Sequence, residues 1–236
     1  MRKQDQKPII TDKKVLRHPR TNRVIHWMTA ISIFLLILTG LGQMPIYGRY
    51  NVNKLPGGAW LGEYFSTLTV HYLGGIMLLF ITIYHVVYHV VQRQLDIFPK
   101  RGDLKQSYLI IKAMLTKGKE PASDKYLAEQ RLAYLYIALQ VFLLMVTGLM
   151  KMAKNLHFIQ FSETTVFWIA QIHNIATFLL ILGIIAHLGA FLMKANRNLL
   201  PGMFTGYVDR EYAAERHSLW YERLITKESS PIDGHK

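Results

Sequence analysis

The sequence contains no cysteine among its 236 residues. This chain therefore cannot hold an iron–sulfur cluster through thiolates, form a disulfide, or attach a haem covalently through a C-x-x-C-H motif. It also lacks a phosphate-binding glycine loop, a G-x-S-x-G motif and an H-E-x-x-H zinc motif. Any cofactor of this chain must be held non-covalently by other side chains.

Charged residues are missing from four long stretches, 24–48, 64–92, 132–150 and 164–193. Each is long enough for one membrane-spanning helix, which needs about 20 apolar residues, although the third is the barest fit. No signal peptide is apparent, because the first 23 residues are basic and polar with no apolar segment. The pattern predicts an all-α membrane protein in which four transmembrane helices form a bundle, as a single domain over residues 1–236.

Basic residues are unevenly distributed around the predicted spans. Of the 28 Lys and Arg residues, 24 lie before the first span, between the second and third spans, or after the fourth. The positive-inside rule makes that side cytoplasmic. We therefore expect a cytoplasmic N-terminal segment 1–22 and a cytoplasmic C-terminal tail 195–236. The net charge of +13 follows from this topology and from anionic membrane lipid, and it does not indicate a nucleic-acid partner.

The sequence contains a duplicated two-helix hairpin. RVIHWMTAISIFLLILTGL, from Arg23, aligns without a gap with RLAYLYIALQVFLLMVTGL, from Arg131. In the span that follows each copy, two histidines lie fourteen residues apart, namely His71 with His85 and His173 with His187. The two halves are predicted to be related by an axis along the membrane normal.

Histidines inside these spans predict bound iron porphyrin. Fourteen residues of α-helix complete almost four turns and rise about 21 Å, so His173 and His187 share a helix face near opposite edges of the membrane. Polar side chains at such depths are costly unless something binds them. Because successive helices run in opposite directions, His71 lies at the depth of His173, near the outer face. We expect this pair to bind one of two haems.

Two histidines are candidates for the inner partner of His187. His26, near the cytoplasmic end of the first span, and His85 both lie at suitable depth. The repeat favours His85, because Tyr134 replaces His26 in the second copy. Small residues in the spans either leave room for flat macrocycles or serve ordinary helix packing in membranes, namely Gly40, Gly74, Gly75, Gly148 and Gly183.

A histidine-lined metal-ion transporter is the main alternative to a haem protein, and a haem-free anchor is another. A transporter for hard or borderline cations needs carboxylates along its path to compensate the charge. The four uncharged stretches contain no Asp or Glu. The sequence therefore favours a haem protein.

Several motifs resemble one family, the γ subunits of membrane-bound formate dehydrogenases, within a wider group of dihaem b-type cytochromes that includes hydrogenase cytochrome subunits. The resemblance runs from about residue 20 to residue 222. It rests on the motifs RVIHW, HYLGG, YLAEQR and IHNIATFLLILGIIAH. The tail GMFTGYVDREYAAERHSLWYE is most like that of formate dehydrogenase in particular. It implies two haem b groups. His26 with His187 would ligate the cytoplasmic-side haem, and His71 with His173 the periplasmic-side haem. For the inner partner of His187, the family pattern thus favours His26, whereas the repeat favours His85.

The resemblance also implies a quinone, menaquinone or ubiquinone, beside the cytoplasmic-side haem. In the family an Asn and a Gln before the third helix lie near this quinone. Gln130 matches the Gln, whereas Leu127 stands in place of the Asn. His85 has no ligand counterpart in the family, so its role would be a hydrogen bond near the inner haem or proton delivery to the quinone.

The implied function is that of the membrane cytochrome b subunit of a formate dehydrogenase complex in the bacterial inner membrane. Electrons from formate, oxidised at a molybdenum or tungsten subunit, would arrive through an iron–sulfur subunit docked near loops 43–67 and 151–163. They would cross to the cytoplasmic side and reduce the quinone there. The cytochrome b subunit of a nickel–iron hydrogenase is the close alternative, because it has the same fold.

Overall fold

The structure is a computed structural model in which residues 10–116 and 118–229 are described, the side chains of 227–229 excepted. Among these residues two short strands, β1 (Lys14–Leu16) and β2 (Tyr207–Asp209), pair antiparallel with Val15 opposite Val208. The helices in chain order are α1 (Arg20–Gly42), α2 (Ile46–Arg49), α3 (Tyr64–Val91), α4 (Asp103–Thr116), α5 (Ala128–Asn155), α6 (Glu163–Gly189), α7 (Lys194–Arg197), α8 (Leu200–Thr205), α9 (Arg210–Arg216) and α10 (Ser218–Ser229).

Four of the described helices are long and apolar enough to cross a membrane, over Arg20–Gly42, Tyr64–Val91, Ala128–Asn155 and Glu163–Leu192. Large apolar side chains on these helices are exposed, such as Phe65 at 79% and Phe80 at 68%. Such a surface is typical of contact with hydrocarbon rather than with water. The chain is therefore a multi-pass membrane protein, and the predicted all-α fold with four spans is confirmed.

The third span is longer than its uncharged stretch predicts. Helix α5 has 28 residues, because it continues through charged residues at both ends, among them Arg131 and Lys151. The cytoplasmic placement of both termini stays a prediction, as does the single domain over residues 1–236. Parts of the segments 1–22 and 195–236 lie outside the described residues.

Two compact units can be distinguished in the chain. The first unit comprises residues up to 23, 94–137 and 183 onward, and the second unit comprises residues 24–93 and 138–182. The first unit contains the two strands, α4 and α7 to α10. The second unit contains most of α1, α3, α5 and α6.

In the second unit the spanning helices pack directly against one another. Gly74 of α3 lies against Leu35 and Leu36 of α1, where an added Cβ would come within 3.4 Å of the Leu36 side chain. Asn155, at the end of α5, donates a hydrogen bond of 2.9 Å to the hydroxyl of Tyr72 in α3. Gly74 thus serves the close helix packing that small residues allow in membranes.

In the first unit a buried ion pair joins the start of α5 to α4. Arg131 donates to the Asp103 carboxylate from Nε at 2.8 Å and from Nη2 at 2.5 Å. The two side chains are only 4% and 3% exposed. The hydrogen bonds from Arg131 lower the pKa of Asp103 below its ordinary value.

Replacing Arg131 with Met is expected to destabilise the fold by about 3–5 kcal/mol, because the Asp103 carboxylate is left buried without its partner. The lowered pKa means that the pair stabilises the fold above the ordinary carboxylate pKa of about 4. That stabilisation is lost as the pH falls through the lowered value. Thermal unfolding in detergent at neutral and acid pH measures both effects.

The matched control is Lys100→Met, which removes the exposed ion pair between Lys100 and Asp124. Exposed pairs contribute about 1 kcal/mol or less. Equal destabilisation by the two substitutions would contradict the prediction.

Candidate functional site

Two histidines from different helices meet in the second unit. His71 of α3 and His173 of α6 have ring centroids 6.4 Å apart, and their ring planes are inclined at 62°. Both side chains are half-buried. The structure therefore brings together the two residues that were paired by their expected depth in the membrane.

A threonine from the preceding long helix holds each of these rings. Thr39 Oγ1 of α1 lies 2.9 Å from His71 Nδ1, and Thr147 Oγ1 of α5 lies 2.8 Å from His173 Nδ1. Both threonines are buried. The two threonines occupy equivalent positions in the aligned repeat, each followed by a glycine, but the repeat alone did not predict this role.

The hydrogen bonds of the threonines decide which ring nitrogen carries the proton. Each hydroxyl donates to the carbonyl four residues earlier in its own helix, at 2.8 Å for Thr39 and 2.7 Å for Thr147. With its hydrogen so engaged, the hydroxyl oxygen accepts from the imidazole. The proton therefore lies on Nδ1 of His71 and His173, and Nε2 keeps the lone pair that can bind a metal.

A glycine follows each threonine and lies against the same ring. An added Cβ would lie 3.4 Å from His71 Cε1 at Gly40 and 3.6 Å from His173 Cε1 at Gly148. Each Thr-Gly pair thus makes the same contact with a histidine of the next span. This match agrees with the predicted duplication of the two-helix hairpin.

The remaining two glycines lie in other surroundings. In the first unit Gly183 packs against Tyr136 and Ile137, where an added Cβ would lie 2.7 and 2.8 Å from their side chains. Gly75, in the second unit, has no neighbouring atom within 4 Å of such a Cβ. Only Gly40 and Gly148 of the five glycines face a predicted haem ligand in the structure.

The geometry of the His71–His173 pair fits a metal held between two imidazoles. An imidazole nitrogen binds a transition metal at about 2.0–2.1 Å, so two such bonds on opposite sides of one ion separate the ring centroids by roughly 6–7 Å. The observed 6.4 Å lies in this range. Within residues 10–116 and 118–229, no group of three or more His, Cys, Asp or Glu side chains is placed to hold a metal ion. A metal at this pair would take its other ligands from a non-protein group such as a porphyrin.

His85 packs against a second histidine on its own helix. The His85 and His89 rings have centroids 4.3 Å apart, inclined at 44°. His89 Nδ1 donates to the His85 carbonyl at 2.8 Å, since a carbonyl can only accept. Sequence reasoning overlooked His89, although the spacing of four residues on one helix was an available signal.

His26 and His187 belong to different units. His26 lies half-buried in α1, within the second unit. His187 lies near the end of α6, within the first unit, and its exposed side chain meets the Phe191 ring edge-on at 6.1 Å. The choice of His26 rather than His85 as partner of His187 stays a prediction.

Gln130 belongs to a polar network in the first unit. Its side-chain oxygen accepts from the Leu127 backbone N–H and from Arg17 Nη2, both at 3.1 Å. Arg17 Nη1 donates to His217 Nε2 at 2.7 Å, and His217 Nδ1 donates to the Asp124 carbonyl at 2.8 Å. Burial lowers the pKa of His217 to about 3, so this ring is neutral at physiological pH. The amide oxygen of Gln130 thus has structural partners that its position in the sequence did not reveal.

Comparison with known proteins places the chain among membrane cytochromes. Residues 17–206 match the family model described as prokaryotic cytochrome b561. The chain belongs to the prokaryotic cytochrome b561 family. Haem b in such cytochromes is non-covalent and held by axial side-chain ligands. Membership therefore agrees with the absence of cysteine and with the geometry of the His71–His173 pair.

Two similar cytochromes carry more specific names. The chain is 27% identical over 229 residues to the formate dehydrogenase cytochrome b556 subunit of Haemophilus influenzae, which covers 93% of this chain and 87% of that protein. It is also 27% identical over 226 residues to the nitrate-inducible formate dehydrogenase cytochrome b556(Fdn) subunit of Escherichia coli K12, over 92% of this chain and 94% of that protein. These matches confirm the family resemblance inferred from the motifs.

Proposed function

We propose that this cytochrome is the membrane subunit of a formate dehydrogenase complex in the bacterial inner membrane. It would carry electrons from an iron–sulfur subunit to a quinone. The observation that carries the proposal is the His71–His173 pair, in which each ring is oriented by a threonine with Nε2 available to a metal. The names of the relatives support formate as the electron source, because the matches extend over more than nine-tenths of this chain.

His71 and His173 would hold one haem b, and His26 with His187 would hold a second. Haem b supplies one-electron redox chemistry, at a potential set by its axial ligands and their surroundings. The protein would fix the imidazole tautomer of both ligands. Thr39 and Thr147 hold the proton on Nδ1, so Nε2 stays unprotonated and can bind the iron. Since the chain has no cysteine, its electrons would come from an iron–sulfur protein. We place this protein on the periplasmic side at the segments 43–67 and 151–163, which include the outer ends of α3 and α5.

The quinone, menaquinone or ubiquinone, would be reduced at the cytoplasmic side near Gln130. That side is assigned from the basic segments, which hold 24 of the 28 Lys and Arg residues. His85 would either deliver protons to this quinone or support the neighbouring haem through a hydrogen bond. Moving each electron inward against an inside-negative potential costs about 2.3 kcal/mol per 100 mV. Inward electron transfer, with protons taken up from the cytoplasm on quinone reduction, would therefore generate membrane potential.

The visible spectrum and electron donor of the purified complex test this proposal. We expect two low-spin b haems for each copy of the chain, both reduced on addition of formate. Reduction by hydrogen but not by formate would instead assign the chain to a nickel–iron hydrogenase. A complex without haem would overturn the proposal in favour of an anchor or transporter.

The threonine hydrogen bonds predict a graded effect on the haem. Thr147→Val removes the acceptor for His173 Nδ1–H, and Thr39→Val does the same at His71. We expect each substitution to weaken haem retention by about 10–100-fold, as for other partners of metal-ligating histidines. The midpoint potential of the remaining haem should rise, because the imidazole becomes a less basic ligand and stabilises ferric iron less.

Thr69→Val is the matched control for these variants, because the Thr69 hydroxyl donates to the Phe65 carbonyl on an exposed part of α3. Haem content and potential in this control should match the unmodified protein. If Thr39→Val and Thr147→Val both behave like the control, the hydroxyls do not support a haem ligand.

A further inference from the structure

Lys151 is a lysine within a membrane-spanning helix. It lies three residues beyond Gly148 in α5, and its side chain is half-buried. None of the ion pairs among the described residues includes it. Intramembrane lysines are costly and usually pair with an anion or line a functional pathway. Among the described residues this half-buried ammonium thus has no carboxylate within ion-pair distance, and an anion from outside the chain can pair with it.

The position of Lys151 on α5 is defined by its neighbours one turn away. Thr147, Lys151 and Asn155 follow at intervals of four residues, so they lie along one face of the helix. Thr147 contacts the His173 ring at 2.8 Å, and Asn155 contacts Tyr72, the residue after the other histidine of the pair, at 2.9 Å. Lys151 thus lies between contacts to both histidine-bearing helices. It is near the end of α5 that leads into the loop before α6.

Lys151 is the nearest lysine to the histidine pair along this face of α5. It follows Thr147, which contacts the His173 ring, by one helical turn. Lys154, one turn further on, is exposed and interacts with Lys151. Lys151 is half-buried on the face of α5 that carries Thr147, whereas Lys154 is exposed, although both lie at the same end of the helix.

We propose that Lys151 binds a propionate of the haem held by His71 and His173. This inference rests on the proposed function, because it requires haem at that pair. A propionate is a carboxylate, and the uncharged spans offer it few cationic partners. The lysine at this position both satisfies the propionate and places a positive charge beside the iron. A nearby positive charge favours the ferrous form, so Lys151 raises the reduction potential of this haem and makes it a better acceptor.

Potentiometric titration of the haem bands in the intact complex tests the inference. Lys151→Met should lower the midpoint potential of the haem at His71 and His173, identified as the one missing from His173→Ala. The second haem serves as an internal reference and should not shift. Lys151→Arg, which keeps the charge, should retain the original potential. Lys154→Met is the matched control, with a much smaller shift expected.

The outcomes separate the inference from the proposed function. Unchanged potentials in Lys151→Met, with both haems present, would overturn the propionate contact and indicate a lysine that extends to the lipid headgroups. Equal shifts in Lys151→Met and Lys154→Met would also overturn it. Loss of this haem in Lys151→Met with retention in Lys151→Arg supports the contact, whereas loss in both contradicts it. A wild-type complex without haem at the pair would instead overturn the proposed function itself.

Discussion

His71→Ala or His173→Ala is expected to remove one haem b from the purified complex and leave the other in place. Either substitution deletes one ring of a pair whose centroids lie 6.4 Å apart, a separation that fits a metal held between two imidazoles. A low-spin haem with one protein ligand lost is held only by its remaining contacts. We expect the haem content to fall by half and formate-dependent quinone reduction to be abolished, as measured by the visible spectrum and by turnover.

His157→Ala is the control for this experiment, because His157 is an exposed histidine beyond the end of α5. This variant should keep both haems. Retention of both haems in His71→Ala and in His173→Ala would show that the pair does not ligate iron. The proposed function would then lose the observation on which it rests.

His26→Ala is expected to abolish the second haem and quinone reduction, while the haem at His71 and His173 persists. The reason is the family resemblance at RVIHW, which assigns His26 as the partner of His187. His85→Ala should keep both haems, because the resemblance gives His85 no ligand role. If His85 delivers protons, the same variant should slow quinone turnover. Haem content and turnover of the two variants, measured in parallel, give the comparison.

The opposite pattern would restore the pairing that the repeat favours. If His85→Ala loses a haem and His26→Ala does not, then the duplicated hairpins use equivalent histidines at both depths. His89→Ala is the matched control for His85→Ala, because His89 packs against the His85 ring on the same helix. A loss common to both variants would indicate damage to local packing rather than removal of a ligand.

The spans and the His71–His173 pair could be predicted from the sequence, because both follow from regular spacing along a helix. A long apolar stretch without charged residues is best explained by a membrane-spanning helix. A spacing of fourteen residues places two histidines on the same helix face, near opposite edges of the membrane. The contacts of Thr39 and Thr147 could not be predicted in the same way. They depend on how each helix is rotated against its neighbour, and the sequence of one helix does not determine that rotation.

Two further residues show where local reasoning was insufficient. The length of α5 was underestimated from the uncharged stretch 132–150. The helix includes Arg131 because the charge of this residue is paired with Asp103 from α4. Gln130 was assigned to a quinone by resemblance, yet its oxygen accepts from Arg17, which lies 113 residues earlier in the chain. Long-range partners of this kind become visible only when the chain is folded.

The matched Thr-Gly contacts mean that the two hairpins supply equivalent residues to the site at His71 and His173. Each half supplies one histidine, one threonine that sets its tautomer and one glycine against its ring. Two copies of a single hairpin, related by a two-fold axis, would therefore present the same protein groups to a metal on that axis. Tyr134 in place of His26 removes this equivalence at the other end of the repeat. One half of the molecule is therefore free to differ from the other at that end.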